Sequence, residues 1–491
     1  MTDRLCSELK CKVMAAEYAA SLIPEGSVVG FSGFSVSGTP NTVARAIAAQ
    51  GTAKNMTLIT GASVSDELDG GFADARLISR RYPYQSTRAL REQINSGDVM
   101  YSDMHLSSMP ALIRREVGQT LDFAVVEAVA VTGDGIIPSL SVGASDCFVA
   151  KARSIIVELN TALPVELCGM HDIPADMTKC TSAPISITDV LDRIGTRFIP
   201  CDPSKIVAVV ITDELSVFPE FKPTDSVSEA IGANVVGFLK QEIKEGRIPQ
   251  QLWPIQSGVG STANAVLKGL AKSGLANLRM YTEVLQDSAL ELIRDGHISG
   301  ASTTSITLSK EMFCEFAQNI DYYKRHIIIR PQEISNNPEV VRRLKVVALN
   351  TPIECDIYGN VNSTHIMGSS MMNGIGGSGD FARNAGLTIF ATASVAKSGR
   401  VSCIVPMCSH IDHTEHDVMV IITEQGVADL RWKSPRERAE CIIENCAHPK
   451  YRDELQSYFN EACLCGGHTP HVLSKAFSFH QRYMETGSMS L

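Results

Sequence analysis

The chain has 491 residues, with 44 Lys+Arg against 54 Asp+Glu and a formal net charge of −10. Its 44% hydrophobic and 20% charged residues are ordinary globular usage, enough to bury ~75% of the unfolded surface, and exclude intrinsic disorder. The acidic balance excludes a general nucleic-acid binder, which needs clustered Lys and Arg, so an anionic ligand must be held by backbone N–H groups, helix N-termini or a few placed cations.

From the N-terminus onward, buried strands alternate with helices. Residues 11–23 carry apolar side chains at helical spacing, and Pro24-Glu25-Gly26 ends that helix. SVVGF (27–31) reads as a buried strand, followed by a glycine-bearing loop to Pro40 and a helix over 41–50 with Asn41 or Thr39 as its cap. The same grammar recurs at MTLIT (56–60), LDFAVVEAVAV (121–131), RSIIVEL (153–159) and KIVAVVIT (205–212). Short continuous Val/Ile runs between helices define a parallel sheet covered on both faces, so doubly wound βα units fill the first ~220 residues. Two prolines in Phe218–Thr224 interrupt the pattern, a helix begins near Asp225, and a second α/β region runs to the end. The predicted domains are therefore 1–224 and 225–491. The tail GSMSL is expected to be loose.

Fourteen cysteines are scattered from Cys6 to Cys465 without a CxxC or a common zinc spacing, which predicts free buried thiols in a reducing compartment. The N-terminal segment lacks a signal peptide's apolar core, and no stretch approaches the ~18–20 apolar residues of a membrane span. A soluble cytoplasmic protein without membrane or nucleic-acid partners is the expectation.

The second half holds the glycine clusters. Gln256-Ser257-Gly258-Val259-Gly260-Ser261-Thr262 joins an apolar lead-in to a helix, the arrangement of a backbone anion site; a purely structural turn is the alternative. Asn373-Gly374-Ile375-Gly376-Gly377-Ser378-Gly379 has four glycines in six residues, a density that points to backbone brought against a ligand, with a surface loop as the alternative. In 278–296 a strand leads into a helix, and Thr282-Glu283 stands toward the strand's C-terminal end, where parallel sheets bind ligands. Glu283 is there either a capping or salt-bridging group, or a catalytic base or nucleophile. His410, His413 and His416 look like metal ligands, yet their spacing suits one face of neither helix nor strand; polar packing is preferred and no metal is expected. Thr423-Glu424-Gln425-Gly426 follows the strand DVMVIIT in another glycine turn.

Together, and in this order, these pieces resemble the acetyl-CoA hydrolase/transferase family of class I CoA-transferases, nearest to its succinyl-CoA:acetate and propionyl-CoA:succinate enzymes. The resemblance rests on SGF (32–34), PYQS (83–86), IVELN (156–160), GMHD (169–172), SGVGSTANAV (257–266), YTEVLQD (281–287), RPQEISNNPE (330–339), DIYGNVNSTH (356–365), NGIGGSGDF (373–381) and TEQGVADLR (423–431). It implies two open, mostly parallel α/β domains, the second carrying Glu283 as nucleophile. Val259 and Gly377 would donate N–H groups to the oxyanion, while Asn336 and Glu424 orient the nucleophile and the carboxylate. Coenzyme A would lie against Gly258, Val259, Gly260, Ser261, Thr262, Asn373, Gly377 and Lys397, as a substrate carried covalently on Glu283 and not as a resident cofactor. A homodimer is implied as well, and Trp432 departs from the glycine usual after DLR. The predicted activity moves coenzyme A between succinyl-, propionyl- or acetyl-CoA and acetate or succinate in ping-pong fashion. Hydrolysis of acyl-CoA is the alternative, and a non-catalytic acyl-CoA-binding protein a third reading.

Overall fold

The computed structural model describes residues 4–117, 120–174, 184–215, 218–221 and 223–491, so Cys180 and Lys222 lie outside the described residues. It is a mixed α/β structure with mostly parallel sheets, and it divides into two compact units. One comprises Met1–Glu220 with Met280–Leu344, the other Phe221–Arg279 with Lys345–Leu491.

The first unit is built on nine strands: β1 (Val28–Ser35), β2 (Met56–Ser63), β3 (Ile78–Tyr82), β4 (Met100–Tyr101), β5 (Phe123–Val131), β6 (Gly135–Pro138), β7 (Ser154–Asn160), β8 (Ile199–Pro200) and β9 (Ile206–Thr212). The parallel order is β4-β3-β2-β1-β5-β7-β9, and β6 and β8 extend the upper part of β5 antiparallel. The chain moves outward on both sides of the β1–β5 pair, a topological switch point. The core is made by the alternating apolar faces these runs predicted: Val29, Phe31, Leu58, Val125 and Ile156 are buried beneath helices Ala16–Ser21 and Asn41–Gln50. Gly30 permits this packing, because a Cβ there would come within 2.8 Å of the Phe148 ring. The helix predicted over 11–23 is instead a 3-10 turn, Ser7–Lys12, followed by Ala16–Ser21.

Residues 280–344 were expected with the C-terminal part of the chain, yet they pack with the first unit. Bridges join Ser141 to Ser305, Gly143 to Pro331 and His171 to Ile329. Arg330 and Asp172 form an ion pair with both side chains fully buried, and Arg114 links Asp146 (2.6 Å) to Glu333. Removing one partner of such a pair strands a buried charge at a cost of about 3–5 kcal/mol, so these links fix where the segment goes.

In the second unit, strands Ile255–Ser257, Val347–Asn350, Leu387–Ala391 and Val420–Thr423 lie parallel in that order, and Gly426–Asp429 closes the edge as a hairpin. Helix Ser226–Lys244 begins where the sequence puts it, with Asp225 accepting from the Ser228 N–H at 2.7 Å. Helices Pro435–Cys446 and Pro449–Cys465 cover a core that includes Tyr358, Phe390, Ile421 and Tyr451. The tail is not loose. Met489 is fully buried in this core, and its backbone bonds to Arg400 and Arg482 at both N–H and carbonyl. The described cysteines are free, and only part of them is buried. Among the described residues no helix is long and apolar enough to cross a membrane.

Candidate active site

Strand Leu278–Tyr281 stops two residues before a second short strand, Val284–Leu285, so Thr282-Glu283 forms a kink and not the end of one strand. Three donors on the neighbouring chain segment seize the Glu283 carbonyl: Thr303 Oγ1 (2.7 Å) and the N–H groups of Thr304 and Ser305 (3.0 Å each). The backbone is thereby fixed, and the half-buried side chain is aimed by Asn336, whose Nδ2 donates to Glu283 Oε1 at 2.7 Å. Asn336 is fully buried and is itself held by the Ser335 hydroxyl on its Oδ1 at 2.7 Å. Tyr281 anchors the same turn through a hydrogen bond to the Ile334 carbonyl. This is an oriented carboxylate with two ranks of support, the arrangement a nucleophile or base needs.

Beside it lies a small apolar cluster of Phe34, Ala62 and Leu106, against which Tyr84 and Val284 pack. Burial pushes the Tyr84 phenol up, and the charge of Glu283 adds to the shift.

The remaining predicted residues belong to the second unit. Helix Ser261–Lys272 starts from Gly260, whose φ of +110° and ψ of −176° favour glycine, and no side chain caps this start. Val259 is 57% exposed on the turn, while Gly258 is tied back by its N–H to the Leu349 carbonyl. Ser261 accepts from Ser228 Oγ at 3.2 Å, and Thr262 is in the first turn. Gly377 precedes the short helix Ser378–Ala382, and Gly376 takes a left-handed φ of +59°. Asn373 fixes the entry to this loop by donating to the carbonyls of Ser363 (3.0 Å) and Gly374 (2.9 Å).

Glu424 is gripped by Ser394, through the N–H at 2.8 Å and the hydroxyl, and by Gln425 Nε2 at 3.0 Å. Burial works to raise its pKa, but these hydrogen bonds outweigh it and hold the carboxyl below its usual value. Lys397 stands on an exposed left-handed turn with Ser398 and donates to the Tyr483 hydroxyl at 2.6 Å.

The three histidines diverge. His410 reaches Asp412 at 3.3 Å and stacks on His365; buried His413 contacts Ser378 Oγ at 3.0 Å; exposed His416 faces Glu415 at 3.7 Å. His413 thus supports the glycine loop through the residue after Gly377. Trp432 is fully exposed at φ +60°, a conformation that glycine adopts without strain. Sequence reading passed over Ser335, Thr303, Ser394 and Ser378, because a lone Ser or Thr carries no signal until its partner is known.

The architecture is that of CoA-transferases. The RipA structure of Yersinia pestis superposes with a TM-score of 0.69 at 22% identity, covering 91% of this chain and 96% of the other. The 4-hydroxybutyrate CoA-transferase of Porphyromonas gingivalis superposes with 0.66 at 22% identity, covering 92% and 98%. Residues 3–211 match the acetyl-CoA hydrolase/transferase N-terminal domain, and 313–459 its C-terminal domain. The chain is 52% identical over its full length to the succinyl-CoA:acetate CoA-transferase of Clostridium kluyveri, covering 92% of that protein. It is 44% identical to the propanoyl-CoA:succinate CoA transferase of Escherichia coli, covering 97% and 98% of the two chains. It is 41% identical to an acetyl-CoA hydrolase of Schizosaccharomyces pombe, covering 99% of each. The chain belongs to the acetyl-CoA hydrolase/transferase family, whose members are enzymes acting on coenzyme A thioesters.

Proposed function

We propose that this enzyme transfers coenzyme A between a short acyl-CoA (succinyl-, propionyl- or acetyl-CoA) and acetate or succinate, with Glu283 as nucleophile. The observation that carries the proposal is the aimed carboxylate of Glu283, held by Asn336 at 2.7 Å on a backbone fixed by three donors. A Glu283 oxygen attacks the thioester carbonyl, the C–S bond breaks, and coenzyme A leaves as thiolate, giving an acyl-glutamyl anhydride. The thiolate then attacks the side-chain carbonyl of Glu283 in the anhydride and expels the first carboxylate, leaving a glutamyl-CoA thioester. An incoming carboxylate runs both steps backward, which restores Glu283 and releases the new thioester. Every step develops an oxyanion, and the N–H groups of Val259 and Gly377 are assigned to it. Glu424 orients the carboxylate substrate, while Asn373, Lys397 and the turn from Gly258 to Thr262 contact coenzyme A. The apolar cluster of Phe34, Ala62 and Leu106 suits a short acyl chain. A cytoplasmic homodimer active in acetate and propionate metabolism completes the proposal.

Acyl-CoA hydrolysis is the second reading, supported by the hydrolases among the relatives; there water resolves the anhydride. Incubation with acyl-CoA followed by borohydride should yield a reduced adduct on the Glu283 peptide, and Glu283→Ala should reduce exchange to background. Near-normal transfer by Glu283→Ala overturns the proposal, and coenzyme A release indifferent to acetate or succinate replaces transfer with hydrolysis.

A further inference from the structure

Asn336 aims Glu283, so whatever places Asn336 reaches the carboxylate at one remove. Asn336 follows the single-turn helix Gln332–Ser335, which is too short to hold its own conformation in isolation. Its place is set from outside. Glu333 is ion-paired with Arg114, and the Ile334 carbonyl accepts from the Tyr281 hydroxyl.

The tie at Gln332 has a further reach. Its carbonyl accepts from the Asn336 N–H at 2.9 Å, and its own N–H donates to the Gly143 carbonyl at 2.8 Å. Its fully buried side chain donates from Nε2 to the Leu106 carbonyl at 2.9 Å. Leu106 belongs to the apolar cluster with Phe34 and Ala62 that lies beside Glu283. Gly61, the neighbour of Ala62 in the chain, leaves room for this amide, because a Cβ there would stand 2.7 Å from Gln332 Oε1. One side chain therefore joins the wall of the cluster to the turn that carries Asn336. Breaking the join leaves a buried carbonyl without its donor, which makes it costly to loosen.

We propose that Gln332 is a positioning residue, which sets the register of Asn336, and through it of Glu283, against the apolar wall. The inference rests on Glu283 being the nucleophile.

Gln332→Met keeps the length of the side chain but carries no N–H donor. In steady-state transfer it should lower kcat by about 10–100-fold while KM for acyl-CoA stays within about twofold, the pattern of a misplaced reacting group. The deciding readout is a double-mutant cycle with Asn336→Ala, since loosening of the fold alone would not couple the two sites. Adding Gln332→Met to Asn336→Ala should change kcat by less than about twofold if the glutamine acts through the asparagine. Losses that multiply overturn the proposal, and so does an unchanged kcat in Gln332→Met alone. Should Gln332→Met fail to fold, Glu333→Gln, which frees the same turn from Arg114, enters the cycle with the same outcomes. Failure of the underlying reading looks different: near-normal transfer by Glu283→Ala removes the nucleophile, whereas multiplying losses in the cycle leave it in place.

Discussion

Each unit contains a strand–turn–helix crossover from the first of its central strands, and the two treat the helix N-terminus in opposite ways. In the first unit, helix Asn41–Gln50 has its leading N–H groups closed by Glu158, a carboxylate delivered from β7 more than a hundred residues later. In the second, helix Ser261–Lys272 starts from an exposed glycine turn with no side-chain cap. The same local grammar thus yields one helix start plugged by the protein's own carboxyl group and one left open at the surface. An acidic chain has no broad positive field to capture an anionic thioester. On the proposed reading, an open helix start with backbone donors is what supplies the attraction locally, without added Lys or Arg.

The sharpest way to break the contrast is to remove a donor from the open turn. Val259→Pro deletes one N–H at an exposed position. It should lower kcat by about 10²–10³, or ~2.7–4 kcal/mol, as loss of one oxyanion donor does elsewhere. Tm should move little, and single-turnover rates set against thermal unfolding read the two apart. Loss of stability without loss of rate would mean that the turn is structural.

The plugged helix should respond in the opposite sense. Glu158→Ala leaves two buried N–H groups without an acceptor and should cost about 2–4 kcal/mol of stability at unchanged kcat. Its pH dependence is also specific. Because burial raises the Glu158 pKa from 4.5 to about 8 in the folded state, the folded protein binds the proton more tightly than the unfolded chain. Stability from this group is complete below pH ~4.5 and declines as pH rises toward ~8, by at most ~1.4 kcal/mol per unit. Glu158→Gln should flatten that slope, measured by chemical denaturation across the pH range. An unchanged slope would assign the titration to another group.

The contrast also marks what the sequence could and could not disclose. The strands at 56–60, 121–131, 153–159 and 205–212 were legible because buried parallel strands are short Val/Ile runs, and helix 41–50 matches its prediction residue for residue. Its cap was not legible. Thr39 and Asn41 are spent elsewhere, on Ser63 and Ser65, and the true acceptor arrives from a distant strand that no local window contains. The affiliation of residues 280–344 was hidden for the same reason, since it rests on long-range pairs such as Arg330–Asp172. Glu283 could be singled out as chemistry-bearing, but its definition as an aimed group depends on Asn336 and Ser335, about fifty residues on.

The smallest effect belongs to the one cation assigned to coenzyme A. Lys397 is exposed on a left-handed turn, and the Tyr483 hydroxyl, 2.6 Å away, is its holder, with the ammonium also 4.9 Å from the ring centroid. An exposed charge contact contributes about 0.2–1 kcal/mol, so Lys397→Ala should raise KM for acyl-CoA by up to about fivefold at constant kcat. Tyr483→Phe keeps the ring face and removes only the acceptor, and should raise KM by less. Both effects should shrink with added salt, since screening weakens an exposed charge regardless of who holds it. If Lys397→Ala leaves KM untouched, the open helix start and the glycine loop carry recognition alone. If Lys397→Ala raises KM and Tyr483→Phe does not, the lysine acts without its tyrosine support, because a flexible ammonium reaches its anion without being held beforehand.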